Sequence, residues 1–252
     1  MAKKRLLSLL MTGIAMLTCA GTYASDTINC TVSSDFYTKY IWRGQVVSDR
    51  SVFEPAIALY GYGFTGFVWG NMDLTGQNEH CREFIEMDYV LDYTASIPDV
   101  EGVSFSVGTI YYDFPNTAYK PTTEIYGGLS LAVPLSPFIK IYRDVDETDG
   151  SYIQVGVGHT IEKFFSISDG CYCGLRFGSY LAYGNSQYNK FYFGSAGGKL
   201  NDLNISLAMP VCYKSWTITP GVYYSTMLGD SIRQATLKSD NIWVGVGIST
   251  SF

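Results

Sequence analysis

The sequence predicts an all-β fold, a transmembrane antiparallel β-barrel with twelve strands as the favoured number. Three observations support this prediction: the alternating pattern of the final strand, the recurrence of alternating segments of about ten residues, and an unusual composition. Aromatic residues make up 15% of the chain and charged residues only 16%, with 26 glycines and 21 tyrosines. A soluble domain usually carries nearer a quarter charged residues. A membrane barrel shows apolar residues to lipid and aromatic residues at the interfaces, which fits this composition better.

The carboxyl-terminal segment alternates strictly and closes on an aromatic residue. Its apolar side is Ile242, Val244, Val246, Ile248, Thr250 and Phe252, and its small or polar side is Trp243, Gly245, Gly247, Ser249 and Ser251. Such a strand suits a wall between lipid and a wet lumen, although an edge strand of a soluble sandwich would show the same alternation. Bacterial outer-membrane barrels are recognised for insertion by carboxyl-terminal strands that this segment resembles. We therefore predict Phe252 as an insertion signal read by the barrel assembly machinery.

The amino terminus has the features of a secretory signal peptide. Lys3, Lys4 and Arg5 form a basic start, residues 6–17 are an apolar run too short to span a membrane, and small residues precede a cleavage site after Ala24. A lipoprotein signal around Cys19 is less favoured. We expect a signal peptide at 1–24 and a barrel domain at 25–252. Three of the 17 Lys and Arg lie in the signal, which leaves 14 against 23 Asp and Glu, a formal charge of −9. This charge argues against a nucleic-acid partner.

The exported chain divides into alternating segments separated by turn-rich breaks, with no convincing helix. The twelve predicted strands are 28–43, 51–61, 64–74, 83–95, 102–112, 122–132, 137–145, 151–161, 171–183, 200–209, 213–226 and 241–252. An even number of strands suits a bacterial barrel whose termini both lie in the periplasm. The predicted periplasmic turns are 62–63, 97–101, 133–136, 162–170 and 210–212. The predicted outer loops are 45–50, 75–82, 113–121, 146–150, 184–199 and 228–240, and they are longer on average, as such barrels require.

Short segments of the first half follow one another in a distinctive order. They are Val32-Ser33-Ser34-Asp35, Tyr40-Ile41-Trp42-Arg43-Gly44, Glu54-Pro55-Ala56, Gly66-Phe67-Val68-Trp69-Gly70-Asn71-Met72-Asp73, and Glu86-Met87-Asp88-Tyr89 with Tyr93 beyond. This order resembles the proteobacterial TorF or Gcw group of outer-membrane porins over roughly residues 31–126. Tyr111-Tyr112 and Glu124-Ile125-Tyr126 continue it more loosely. The resemblance implies an outer-membrane channel of unknown substrate.

The charged residues of these segments share one face of each predicted strand. A Lys or Arg facing lipid at mid-depth costs about 2–4 kcal/mol, so the charged faces should point inward. The predicted lumen residues are Asp35, Lys39, Arg43, Glu54, Glu86, Asp88, Asp92 and Glu124. We expect Lys39 and Arg43 to face Glu86 and Asp88. The aromatic loop 184–199 could fold inward as a constriction or simply cover the mouth.

These observations predict passive passage of small hydrophilic solutes through a charged lumen, in the cell outer membrane. Two alternatives remain: charges that pair and fill a small barrel without conduction, and a structural or adhesive envelope barrel, possibly cross-linked by disulfides. Enzymatic function is not predicted, because the chain has only His80 and His159, and neither belongs to a catalytic motif. No cofactor or metal is expected, since Cys171-Tyr172-Cys173 with two distant histidines is a poor zinc set.

Five cysteines remain after the signal peptide. Cys30, Cys171, Cys173 and Cys212 are predicted at the periplasmic rim and Cys81 outside. Because export leads to an oxidising space, we predict a disulfide between Cys212 and either Cys171 or Cys173. The odd number leaves at least one thiol free or available to another chain. The alternative is that several are small buried residues.

Overall fold

A computed structural model describes residues 27–76 and 81–252. The predicted signal peptide and His80 lie outside the described residues. The strands are β1 Asn29–Tyr37, β2 Tyr40–Trp42, β3 Gln45–Ser48, β4 Val52–Gly61, β5 Phe64–Asp73, β6 Phe84–Ser96, β7 Val103–Asp113, β8 Thr122–Leu131, β9 Phe138–Asp144, β10 Ser151–Ser168, β11 Cys171–Gly184, β12 Lys199–Ala208, β13 Val211–Tyr213, β14 Trp216–Met227 and β15 Asp240–Ser251. The helices are α1 Ser186–Phe193 and α2 Asp230–Ala235. Neither is long and apolar enough to cross a membrane.

The large sheet closes on itself as an antiparallel barrel. Neighbours along the chain pair from β4 to β12, β14 pairs with β12 and β15, and β1 joins β15 to β4. The short strand β13 pairs with β11 and β14 and so extends the wall position of β12. The wall therefore has twelve positions, and the predicted fold class is confirmed. Closure leaves no unpaired wall edge.

Side chains alternate between an apolar outer face and a polar inner face. On β4, Ile57 and Leu59 are about half exposed on the outside, while Glu54 is buried within. On β6, Leu91 is likewise outside and Asp92 inside. This is the period-two pattern of a strand with one face toward lipid and one toward an interior.

The barrel has two unlike ends. The end that carries residues 29 and 251 has short connections, such as Tyr62-Gly63 and Lys214-Ser215, and we call it the turn end. The opposite end carries the longer connections and both helices, and we call it the loop end. The division predicted from sequence is the one observed, although three boundaries differ.

The first boundary that differs is that of the first strand. It was predicted to run to Arg43, but β1 leaves the wall at Tyr37. Residues 40–48 then form a separate two-stranded hairpin, β2–β3, where an outer loop was expected from residue 45. Alternation alone could not reveal this break, because it continues from the wall into the hairpin.

The other two differences lie at the turn end. Residues 210–212 were predicted as a turn, but Val211 and Cys212 pair in the wall and the chain reverses at Lys214-Ser215. Pro210 interrupts the strand without ending it, because proline can occupy a break in the ladder. Strand β10 extends to Ser168, so most of the predicted turn 162–170 is strand.

Helix α1 was not predicted, and it brings the longest loop inward. The Asn185 side chain accepts a hydrogen bond from the Tyr188 backbone at its start, and Gly194 ends it in the left-handed conformation. Tyr188 and Phe193 are buried in the barrel's aromatic core. Ile232 of α2 belongs to the same core. Of the two fates expected for loop 184–199, folding inward is therefore the one observed.

Candidate functional site: the barrel interior

The interior of the barrel is acidic. Among the described residues, nine carboxylate side chains are buried within the wall against three basic ones. The acids are Asp35, Glu54, Asp73, Glu86, Asp88, Asp92, Glu124, Asp144 and Asp202, and the bases are Arg43, Lys140 and Arg176. Such an imbalance gives the interior a negative potential that attracts cations and repels anions.

The β2–β3 hairpin crosses the interior near the loop end. Its tip is Arg43-Gly44, and both residues have positive φ, 47° and 81°. A Cβ built on Gly44 would lie 2.3 Å from Met227 Sδ and 2.9 Å from Asp202 Cβ. The tip therefore presses against β12 and β14, and this close approach requires glycine.

Arg43 reaches the opposite part of the wall. Its guanidinium donates two hydrogen bonds to Glu124 on β8, Nη1 to Oε1 at 2.8 Å and Nη2 to Oε2 at 2.6 Å. Tyr112 donates a third bond to Glu124 Oε2, at 3.0 Å. The Arg43 and Glu124 side chains are 2% and 4% exposed. A buried bidentate pair of this kind fixes position more than it adds net stability.

Aromatic rings surround the same guanidinium. Its central carbon lies 4.6 Å from the centroid of Trp42, 4.8 Å from Tyr142 and 4.3 Å from Tyr152. Stacking of a cation on ring faces supplements the ion pair. Arg43 thus holds the hairpin to β8, β9 and β10 while Gly44 touches the other side. We call the hairpin 40–48 the plug.

The remaining predicted lumen carboxylates are buried and have mostly neutral partners. Glu54 accepts from Asn71, Asp92 accepts from Tyr126 and Glu86 accepts from Tyr40. Asp88 Oδ1 and Asp35 Oδ1 have no hydrogen-bond partner among the described residues. Seven of the eight predicted lumen residues are buried in the interior, with Lys39 as the exception.

The expected partners of the two basic residues differ in the structure. Arg43 pairs with Glu124 instead of Glu86 and Asp88, because the hairpin turns it across the barrel. Lys39 lies at the root of the plug and pairs with Asp49, Nζ to Oδ1 at 2.7 Å. Lys238 binds the other oxygen of Asp49 at 2.5 Å. These two hydrogen bonds, the one from Lys238 first, lower the pKa of Asp49 to about 2.

Sequence reasoning missed four buried charges of the second half. They are Asp144, Asp202, Lys140 and Arg176. Tyr152 donates to both oxygens of Asp202 at 2.9 Å, and Lys140 Nζ lies 4.5 Å from the Tyr126 ring centroid. The alternation along β9, β11 and β12 could have found them, because these charged residues alternate with exposed apolar residues and so belong to the inner face.

A cavity of about 750 Å³ opens at the loop end beside the plug. Its lining includes Trp42 and Gln45 of the plug, Tyr112 and Glu124 of the wall, and Tyr192 of α1. The loop between β7 and β8 forms another side. The cavity thus reaches Glu124, the partner of Arg43, from the loop end.

The five cysteines of the described residues are free thiols in the structure. Cys212 stands opposite Tyr172, whereas Cys171 and Cys173 stand opposite Tyr213 and Val211. Directly opposed residues share a face and successive residues alternate, so Cys212 points to the face opposite that of Cys171 and Cys173. This register explains why the structure does not contain the expected bond.

Comparison with known proteins finds similarity to solved structures but none in sequence. No family model matches the chain, and no curated protein matches it in sequence. Among solved structures, OmpF of Salmonella typhi, in complex with daunomycin, aligns with 90% of this chain and 97% of its own, at 10% identity and a TM-score of 0.38. A BenF-like porin from Pseudomonas fluorescens Pf-5 aligns with 81% and 69%, at 11% identity and a TM-score of 0.31.

Proposed function

We propose that this protein is an outer-membrane channel that passes small hydrophilic solutes, with a preference for cations. The observation that carries this proposal is the acidic interior of a closed barrel, nine carboxylates against three bases among the described residues. A wall that only filled itself would gain more from apolar residues or matched ion pairs, because an unpaired buried charge is costly. Water and mobile cations in the lumen offset that cost.

The location belongs to the same proposal. A half-exposed apolar outer face, aromatic residues, short turns at one end and long loops at the other are the features of an outer-membrane barrel. The turn end then faces the periplasm and the loop end faces outside. Membership of the TorF or Gcw group is likewise proposed, from the order of motifs between residues 31 and 126.

The plug sets how freely the channel conducts. With Arg43 bound to Glu124 and Gly44 against Met227, the hairpin reaches across the interior. We expect low conductance in this state and larger conductance when the plug leaves the Arg43 site. Passage is then controlled by one element, the hairpin, within a rigid wall.

One observation favours a second function, a structural envelope barrel without conduction. The core around Arg43 is continuous, with Tyr40, Trp69, Tyr152, Tyr188 and Met227 packed in one cluster. Aromatic packing of this kind can fill a small barrel entirely. The protein would then stabilise the membrane or present its loops.

Single-channel recording in planar bilayers distinguishes the two functions. The refolded barrel, checked by its heat-dependent gel mobility, is added to a bilayer separating two salt concentrations. Stepwise openings support the channel, provided that the reversal potential has the sign expected for cation selectivity. A correctly folded protein that stays silent, also after the plug is released by mutation, supports the structural barrel. A reversal potential of the sign expected for anion selectivity would contradict the role given to the carboxylates.

A further inference from the structure

The cavity at the loop end is lined by an unbroken run of aromatic rings. Successive ring centroids are 6.0 Å apart for Tyr119 and Phe114, 6.5 Å for Phe114 and Tyr112, and 6.4 Å for Tyr112 and Trp42. The run continues at 5.2 Å from Trp42 to Tyr192 and at 5.0 Å from Tyr192 to Phe191. Ring faces present negative charge density, so such a lining favours a cationic or flat guest.

The charges at the cavity do not cancel. Glu124 is neutralised by Arg43, and Glu147 lies 3.4 Å from Lys120 Nζ at the rim. Glu86 also lines the cavity and is 5% exposed. Its hydrogen bond comes from the neutral Tyr40, and no Lys or Arg of the described residues forms an ion pair with it. One buried carboxylate therefore faces the cavity without a cation.

The Arg43 site shows how this protein holds a cation between aromatic rings and a carboxylate. Arg43 has a carboxylate on its edge and Trp42 at 4.6 Å from its central carbon. Trp42 also lines the cavity, and Glu86 supplies a carboxylate there. The cavity thus repeats the combination of rings and carboxylate, but its one lining cation, Lys120, pairs with Glu147 and not with Glu86.

We infer that this cavity binds a small organic cation, a guanidinium or amine carried on a flat or compact apolar body. Its charged end pairs with Glu86, and its body stacks among Trp42, Tyr112 and Tyr192. The volume of about 750 Å³ accommodates a molecule of drug-like size. Binding here does not require conduction, so the inference stands apart from the proposed channel.

Calorimetry on the full refolded barrel tests this with three matched probes: benzamidinium, the neutral benzamide and the anionic benzoate. All have the same flat body and differ in charge. We expect benzamidinium to bind at least about tenfold more tightly than benzamide, the equivalent of about 1.4 kcal/mol, and benzoate to bind more weakly than both. Equal binding of the three probes, or no binding of benzamidinium, overturns the inference.

Two variants locate the site. Glu86→Gln removes the charge at nearly constant shape and should abolish the advantage of benzamidinium over benzamide. Asp92→Asn is the matched control, because it removes another buried carboxylate six residues further along β6, roughly 20 Å toward the turn end. It should leave benzamidinium affinity unchanged. An unaltered affinity in Glu86→Gln, or an equal loss in both variants, places the cation elsewhere and refutes the assignment.

If Glu86→Gln fails to refold, Tyr192→Leu provides a second test. This change removes one ring from the run without touching a carboxylate. It should weaken benzamidinium and benzamide together, since both stack on the same rings. Unchanged binding of both probes would contradict the aromatic part of the site.

Discussion

Replacing Arg43 by alanine should release the plug. The change leaves Glu124 buried, with Tyr112 as a neutral donor in place of a cation. Breaking a buried ion pair by removing one partner costs about 3–5 kcal/mol. At about 1.4 kcal/mol per factor of ten, the ratio of docked to undocked plug falls by roughly a hundred-fold to a few thousand-fold. The wall hydrogen bonds are untouched, so the barrel itself should still fold.

The assay is single-channel conductance of the variant beside the original protein. We expect more frequent openings of larger amplitude in Arg43→Ala. Arg143→Ala is the matched control, because Arg143 forms an exposed ion pair with Asp149 at the loop end. Exposed pairs contribute about 0–1 kcal/mol, so this control should conduct like the original.

A double variant separates the charge effect from the loss of packing. Adding Glu124→Gln to Arg43→Ala removes both buried charges, so the carboxylate no longer lies unpaired. The double variant should open less often than Arg43→Ala alone, because paired deletions in one network are not additive. Identical currents in Arg43→Ala and the original protein would refute the role of Arg43 as the residue that holds the plug.

Three further predictions concern the plug tip, the loop end and barrel closure. Gly44→Ala should displace the plug and raise conductance. Gly197→Ala is the control and should not raise it, because Gly197 has a similar positive φ of 83° but open space around it. Equal currents in the two variants would exclude a packing role for the tip. Because the pKa of Asp49 is lowered from 3.8 to about 2, its stabilising effect is complete above 3.8 and lost as pH falls through about 2; carbon NMR titration should give that low pKa, and Asp49→Asn should abolish this acid-dependent loss. Deleting Phe252 should impair membrane assembly, because its backbone exchanges hydrogen bonds of 2.9 and 3.2 Å with Cys30; normal assembly of the truncated chain would contradict this.

The sequence alone determined the wall of this barrel. Period-two alternation is a local property, so Asp35, Glu54, Glu86, Asp88, Asp92 and Glu124 could be placed on the inner face from their neighbours alone. The same parity predicted twelve strands, and the lengths of the connections between them distinguished the turn end from the loop end. It also held for Asp144 and Asp202, which were missed only because the second half of the chain lacked recognisable motifs.

The tertiary structure decided what occupies the interior. Tyr40 and Trp42 continue the alternation of β1 on the parity of Phe36, so this pattern does not show that they leave the wall for a hairpin. Arg43 meets Glu124 across 81 residues of sequence, and Gly44 of the hairpin meets Met227 near the end of β14, far along the chain. Such contacts exist only after the wall has closed and fixed the distance between its sides. Local periodicity therefore predicts the barrel, whereas the plug and the cavity beside it depend on how distant side chains pack within it.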